Sequence, residues 1–179
     1  MGPTERYRRG VDLDKFRARL APLLDSGEHV VAAVKATPRG AAQEAIARGA
    51  GAAGGASVSA SLAGPGAVAG EQFGTRHGEA GRQERRDAGL DVGNATQVVL
   101  VVTAHRVLLV ERTAFGRPKA ILAATDRSLV ASVEQRESTL FGQSMPEIVL
   151  TMASGVEAGF SIARVDRADA QVVLAALGS

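Results

Sequence analysis

Residue types that perform chemistry are few in this chain, and they do not occur at catalytic spacing. The absence of cysteine removes thiol nucleophiles, disulfides and zinc–thiolate sites. His29, His77 and His105 lie in three different segments, without a carboxylate or a second histidine at ligand spacing. Gly142-Gln-Ser144 lacks the second glycine of the Gly-x-Ser-x-Gly turn that presents a nucleophilic serine. We therefore predict that the protein is not an enzyme and that it holds no metal and no other cofactor.

One glycine motif supports an alternative function. Gly49-Ala-Gly51-Ala-Ala-Gly54 matches the Gly-x-Gly-x-x-Gly pattern, in which a buried strand precedes the glycines and a helix N-terminus binds the pyrophosphate. Residues 43–48 contain Glu44 and Arg48 and do not form an apolar strand. In a segment this rich in glycine, the match is expected from composition. A nucleotide-binding protein or enzyme that uses this segment is therefore the second hypothesis.

Four residues are candidates for contact with a ligand or partner. Lys35 and Arg39 flank the end of the first predicted strand, and His105 and Arg106 occupy a predicted hairpin turn. For Arg106, a salt bridge at the strand edge is the competing interpretation. We predict that the rim around 35–39 and 103–106 binds the partner, and that exposed backbone of an edge strand takes up an extended peptide.

Composition narrows the kind of partner. The formal net charge is +2, no clustered basic stripe is present, aromatic residues make up 3% and tryptophan is absent. Duplex binding requires clustered positive charge and single-strand binding requires exposed rings, so we predict no nucleic-acid partner. A protein or peptide partner is expected, and an anionic membrane surface and homo-oligomerisation are left open. The first ten residues lack the apolar stretch of a secretory signal, so we expect a cytoplasmic protein, with peripheral membrane association left open.

Hydrophobic patterns predict a mainly-β structure with helices at both ends. Residues 1–26 are predicted as a polar arm and a helix, since Leu13, Phe16 and Leu20 recur at helical spacing. A strand over 29–34 ends near 37–40. Six further extended segments follow residue 95, at 97–103, 107–112, 120–123, 129–133, 148–152 and 158–162. Asp166 is predicted to cap a helix from Arg167 to Leu177, whose apolar face includes Ala170 and Val173.

Residues 40–93 differ in composition from the rest. The first half is dominated by glycine and alanine, and the second half is polar and charged. Neither half offers enough large apolar side chains to offset the entropy of ordering the chain, so we predict an insertion that adds nothing to the core. Gly49–Gly70 carries no charge and has about the length of a membrane span, although Pro65-Gly66 interrupts it. A membrane-associated structural protein is therefore the third hypothesis.

Short motifs around the predicted strands resemble those of the bacterial pleckstrin-homology-like and GRAM-like families. They are Gly27-Glu28 before the first strand, the hairpin 101–109 with its Thr-x-x-Arg-hydrophobic pattern, and Ser154-Gly155 before the last extended segment. The resemblance implies a barrel of about seven antiparallel strands capped by a C-terminal helix, over 27–179 and interrupted by 40–93. It also implies a non-enzymatic module that binds a protein, a peptide or a membrane surface. The Arg-x-Arg cluster and the helix tryptophan of inositide-binding members are absent, so inositide binding is not implied.

Overall fold

The computed structural model describes residues 13–41, 79–113, 117–140 and 143–178. Within these ranges the N-terminal helix is Leu13–Leu20, a short 3-10 turn follows at Ala21–Leu23, and the C-terminal helix is Arg167–Leu177. Residues 79–87 are also helical and are called here the insertion helix. The strands are β1 (Val30–Pro38), β2 (Val98–Thr103), β3 (Arg106–Arg112), β4 (Pro118–Asp126), β5 (Val130–Leu140), β6 (Gln143–Met152) and β7 (Glu157–Ser161).

The strands form one antiparallel sheet in the order β4-β3-β2-β1-β7-β6-β5. β1 joins the two halves, because Val30 to Ala36 pair with β2 whereas Thr37 and Pro38 pair with β7. The mainly-β class, the strand number and the two terminal helices are therefore confirmed. The sheet is open, so the predicted barrel closure is wrong. The C-terminal helix lies against β1, β2, β5 and β6 and covers one face of the sheet.

Both faces of the β2 region are covered, which explains why all six β2 residues are buried. The main core lies under the C-terminal helix and includes Leu100, Phe160 and Val173. The N-terminal helix covers the opposite face with Phe16 and Leu20. A strand buried on two faces has no polar alternation, so the uninterrupted apolar run in the sequence already indicated a central position.

The prediction that residues 40–93 add nothing to the core is wrong for the end of that segment. Ala88, Leu90 and Val92 are at most 5% exposed and belong to the main core. These three apolar side chains follow the insertion helix, and they join the core because each one packs against side chains supplied by the sheet. Residues 42–78, which include the glycine motif 49–54 and the charge-free segment 49–70, lie outside the described residues, as do residues 1–12.

Among the helices of the described residues, none is long and apolar enough to span a bilayer.

Candidate functional site

The predicted binding rim is not one surface. In the β1–β2 pairing Val30 lies opposite Thr103, and Ala36 lies opposite Val98. Arg106, at the start of β3, therefore lies level with the start of β1. Arg39 follows the end of β1, about 30 Å away along the strand at 3.3 Å per residue. His105 and Arg106 are neighbours at the β2–β3 turn, whereas Lys35 lies within β1 and Arg39 just after its end, so the four residues do not form one rim.

Arg106 is the centre of an ion-pair cluster at the β2–β3 turn. Its Nε donates to Glu28 Oε1 at 3.0 Å, a terminal nitrogen pairs with Glu28 Oε2, and the same nitrogen lies 2.8 Å from Asp25. Thr103 Oγ1 donates to Glu28 Oε1 at 2.7 Å and accepts the Arg106 amide at 2.9 Å. The Glu28 side chain is only 4% exposed. This guanidinium is therefore part of the scaffold.

Electrostatics in the Arg106 cluster favour the ionised pair. The hydrogen bond from Arg106, assisted by the one from Thr103, lowers the pKa of Glu28 from 4.5 to about 2 against the opposing effect of burial. The same bond raises the pKa of Arg106. His105 lies beside this pair with an exposed side chain, and its carbonyl accepts the Arg127 amide at 2.7 Å.

Arg39 forms the second cluster, after the end of β1. Its Nε and one terminal nitrogen donate to the two Glu147 carboxylate oxygens at 2.9 and 3.0 Å, and its other terminal nitrogen reaches Glu84 at 3.3 Å. Glu147 is 4% exposed, and its hydrogen bonds are the main cause that raises the pKa of Arg39. Gly159 packs directly on this pair, since a Cβ there would lie 2.6 Å from Glu147 Oε1.

The insertion helix is fixed to this second cluster. Arg85 is 1% exposed and donates to the Arg39 carbonyl oxygen. A Cβ at Gly81 would lie 2.6 Å from the same oxygen, so only glycine allows this approach. Sequence analysis missed Glu84, Arg85 and Gly81 as a group. Helical periodicity was the available signal, because Gly81, Arg85 and Ala88 share one face at i, i+4 and i+7.

Lys35 is paired with a buried carboxylate. Its Nζ lies 3.8 Å from Asp166 Oδ1, and Asp166 is 4% exposed. Burial is the main cause that raises the pKa of Asp166, and Lys35 opposes it. Asp166 occupies the N-cap position of the C-terminal helix, but its side chain makes no capping hydrogen bond. The predicted side-chain cap is therefore wrong, because the carboxylate is directed to Lys35.

A polar cavity of about 330 Å³ lies close to the end of β3. It is lined by residues 94–97 and 111–113. Its charged groups are already engaged, since Arg112 bonds Gln97 at 2.6 Å and Glu111 pairs with Lys119 at 3.0 Å. We assign it no ligand.

The two sheet edges differ in how well they are protected. β4 begins with Pro118, carries the exposed Lys119, and has two register irregularities against β3. Proline, lysine and bulges are the usual devices that prevent a free edge from pairing with another strand. β5 has one irregularity near its start and then pairs residue by residue with β6 from Ser132 to Leu140. Among the strands of the described residues, none pairs with the other side of β5, so a regular edge of nine residues is present there.

The hydrogen bond of Pro146 in β6 shows which residues of β5 direct their backbone amides and carbonyls away from the sheet. Its carbonyl accepts the Ile162 amide at 2.7 Å, so the polar groups of Pro146 face away from β5. Because these groups alternate along a strand, Glu147 faces β5, where it pairs with Arg136. The amides and carbonyls of Val133, Gln135 and Glu137 consequently face outward and bond no other strand of the sheet.

Within the described ranges no three His, Cys, Asp or Glu side chains are grouped so that they could hold a metal ion. Comparisons with family models, curated proteins and solved structures found no match for this chain.

Proposed function

We propose that the protein is a non-enzymatic interaction module of the pleckstrin-homology-like kind, and that it takes up an extended segment of a protein partner along β5. The strand order and the C-terminal helix that covers the open sheet support this class. The observation that carries the proposal is the regular free edge from Ser132 to Leu140, which contrasts with the protected edge on β4.

Binding along β5 adds a strand to the sheet. The backbone groups of Val133, Gln135 and Glu137 supply hydrogen bonds, and this part of the affinity is independent of the partner's sequence. Selectivity comes from the side chains. Glu134 and Arg136 are exposed along the edge, and like charges directly opposite each other on neighbouring strands are destabilising. The edge therefore favours a strand with complementary charges over one with like charges at the facing positions.

A protein partner is favoured over an anionic surface by the state of the basic residues. Arg39 and Arg106 each form a bidentate pair with a carboxylate that is nearly inaccessible to water. Withdrawing either guanidinium to bind an external phosphate leaves Glu147 or Glu28 as an uncompensated buried charge, which costs about 3–5 kcal/mol. Nucleotide binding and membrane association through the glycine-rich segment stay predictions, and so does a cytoplasmic location.

Selection from a displayed library of random peptides tests the proposal. We expect selected peptides to slow amide exchange at Val133, Gln135 and Glu137. Gln135→Pro removes an outward amide and should therefore abolish binding. The fold should be retained, because proline at this position of an edge strand removes no bond to β6. Gln135→Ala is the matched control, since it removes the same side chain but retains the amide. Peptides that bind equally to both variants, or a library without binders, would overturn the proposal.

A further inference from the structure

The exposed face of the β5 edge carries opposite charges two residues apart. Glu134 and Arg136 point to the same side of the sheet, as residues i and i+2 do, and their side chains are 47% and 41% exposed. They lie on either side of Gln135, whose backbone groups face outward. An edge with this order of charges is complementary to itself when it is turned through a two-fold axis.

We propose that the segment taken up along β5 is β5 of a second copy of this chain, paired antiparallel about Gln135. This inference rests on the proposed function, because it uses the same free edge. The two sheets then continue into each other, and the charges on one face alternate across the junction.

The charges of Glu134 and Arg136 distinguish the register centred on Gln135 from the two neighbouring registers of the antiparallel pair. An axis through Gln135 places Glu134 opposite the partner's Arg136 and Arg136 opposite the partner's Glu134. An axis through Glu134 places two copies of that carboxylate opposite each other, and an axis through Arg136 does the same with two guanidinium groups. Opposite charges at facing positions stabilise antiparallel strands and like charges destabilise them. A shift by a single residue is excluded, because it would move the side chains of the second strand to the opposite face of the sheet.

The hydrogen-bonding pattern is compatible with this register. Gln135 faces its own symmetry mate, and Val133 faces the partner's Glu137. The residues at these facing positions all have outward backbone groups, so they can form hydrogen bonds across the junction. Each such facing pair exchanges two hydrogen bonds, which gives about six across the junction. The other side of β5 stays attached to β6 as it is in the single chain.

Contacts within one chain do not prevent this pairing. Arg136 bonds both Glu157 oxygens at 2.8 Å and also pairs with Glu134, but these side chains are partly exposed. Exposed ion pairs contribute little to stability, so sharing Arg136 with a second copy costs little. The C-terminal helix bonds β5 through side chains, from Gln171 to Gln135 and from Arg167 to Glu137, and neither bond uses the backbone of β5.

Charge reversal tests the pairing. Sedimentation of the full chain from micromolar to millimolar concentration should show a dimer. Glu134→Arg and Arg136→Glu should each weaken dimerisation by about tenfold or more, because each variant meets itself with like charges at two facing pairs. The 1:1 mixture of the two variants should recover the dimer, since each then meets the other with opposite charges. Lys119→Glu, on the β4 edge, is the control and should dimerise as the wild type does.

Each of the following outcomes either supports or overturns the pairing of two copies along β5. Recovery in the mixture supports pairing about Gln135. A wild type that is monomeric throughout, or a dimer that both reversals leave intact, overturns it. Should Arg136→Glu unfold, wild-type amide exchange at Val133 and Gln135 decides instead: it slows with concentration if β5 pairs, and concentration-independent exchange refutes the pairing. The proposed function is judged separately, because a monomer whose selected peptides bind Gln135→Ala but not Gln135→Pro retains it.

Discussion

Replacing Glu28 by glutamine should remove one of the larger electrostatic contributions to the stability of the fold. The substitution keeps the shape of the side chain and an oxygen that accepts from Thr103, but it removes the charge that Arg106 neutralises. A pKa lowered from 4.5 to about 2 corresponds to about 3 kcal/mol at 1.36 kcal/mol per unit. Arg106 is partly exposed and its neighbour Asp25 is largely exposed, so the expected loss at pH 7 is about 2 to 3 kcal/mol.

The pH dependence of this loss has a definite sign. The pKa of Glu28 is lower in the folded than in the unfolded protein, so its contribution is fully present above pH 4.5 and disappears as the pH falls through about 2. Urea unfolding of the wild type and of Glu28→Gln should therefore give free energies that differ most at pH 7. The two curves should converge between pH 4.5 and pH 2.

The control is Glu111→Gln, which removes the carboxylate of the surface pair with Lys119 and lies away from the β5 edge. Its effect on the free energy of unfolding should stay within about 0.5 kcal/mol at every pH. If the difference between the wild type and Glu28→Gln were the same at pH 7 and pH 2, the Glu28–Arg106 pair would not be the source of the stabilisation.

Three further substitutions probe other parts of the structure. Asp166→Asn should stabilise the protein at pH 7, because burial raises the pKa of this carboxyl and so disfavours its ionised form in the folded protein; thermal unfolding should show a larger gain at pH 7 than below pH 3.8. Gly159→Ala should cost about 1–3 kcal/mol in urea unfolding, because the added methyl group overlaps the Arg39 ion pair; an unchanged midpoint would show that the pair can move aside. Leu90→Ala should cost about 2–5 kcal/mol if the residues after the insertion helix belong to the core, whereas Leu23→Ala, at a 40% exposed position, should cost less than about 0.5 kcal/mol; equal small losses would refute the assignment of Leu90 to the core.

The strands were predictable because their apolar residues follow the period of a sheet. β2 is buried on both faces and has an unbroken apolar sequence, whereas Ile148 and Leu150 alternate with smaller or polar residues. The C-terminal helix was predicted with its observed bounds, because Ala170 and Val173 mark its buried face. Such patterns are local, so they can be recognised without knowledge of the rest of the chain.

The roles of the charged residues were harder to predict. Arg39 pairs with Glu147, which is 108 residues away in the sequence, and Lys35 pairs with Asp166. A basic side chain near a strand end is equally compatible with a ligand site and with an ion pair, because the deciding carboxylate comes from a distant strand or helix. For Arg106 the salt-bridge interpretation was weighed against a ligand contact and the structure confirms it, although the partner Glu28 is 78 residues away and could not be identified from the sequence.

The contribution of residues 88–92 was missed for a different reason. Averaging composition over 40–93 hides Leu90 and Val92 among glycine, alanine and charged residues. Burial depends on where a side chain is placed, and the glycine at position 81 allows the helix to approach the Arg39 carbonyl closely. The regular β5 edge was likewise not predictable in detail, because the register of strands is a property of their pairing.

The contact between Gly81 and the Arg39 carbonyl also has an evolutionary consequence. The polypeptide departs at Ala41 and has returned to the same point by Gly81, so the sequence between these residues is tethered at both ends to one spot. The two attachment points are set by the folded residues around Arg39 and Gly81, whatever lies between them. A gain or loss of amino acids between positions 42 and 78 therefore leaves both attachment points in place, and the pairing of β1 with β2 can persist through such a change over generations.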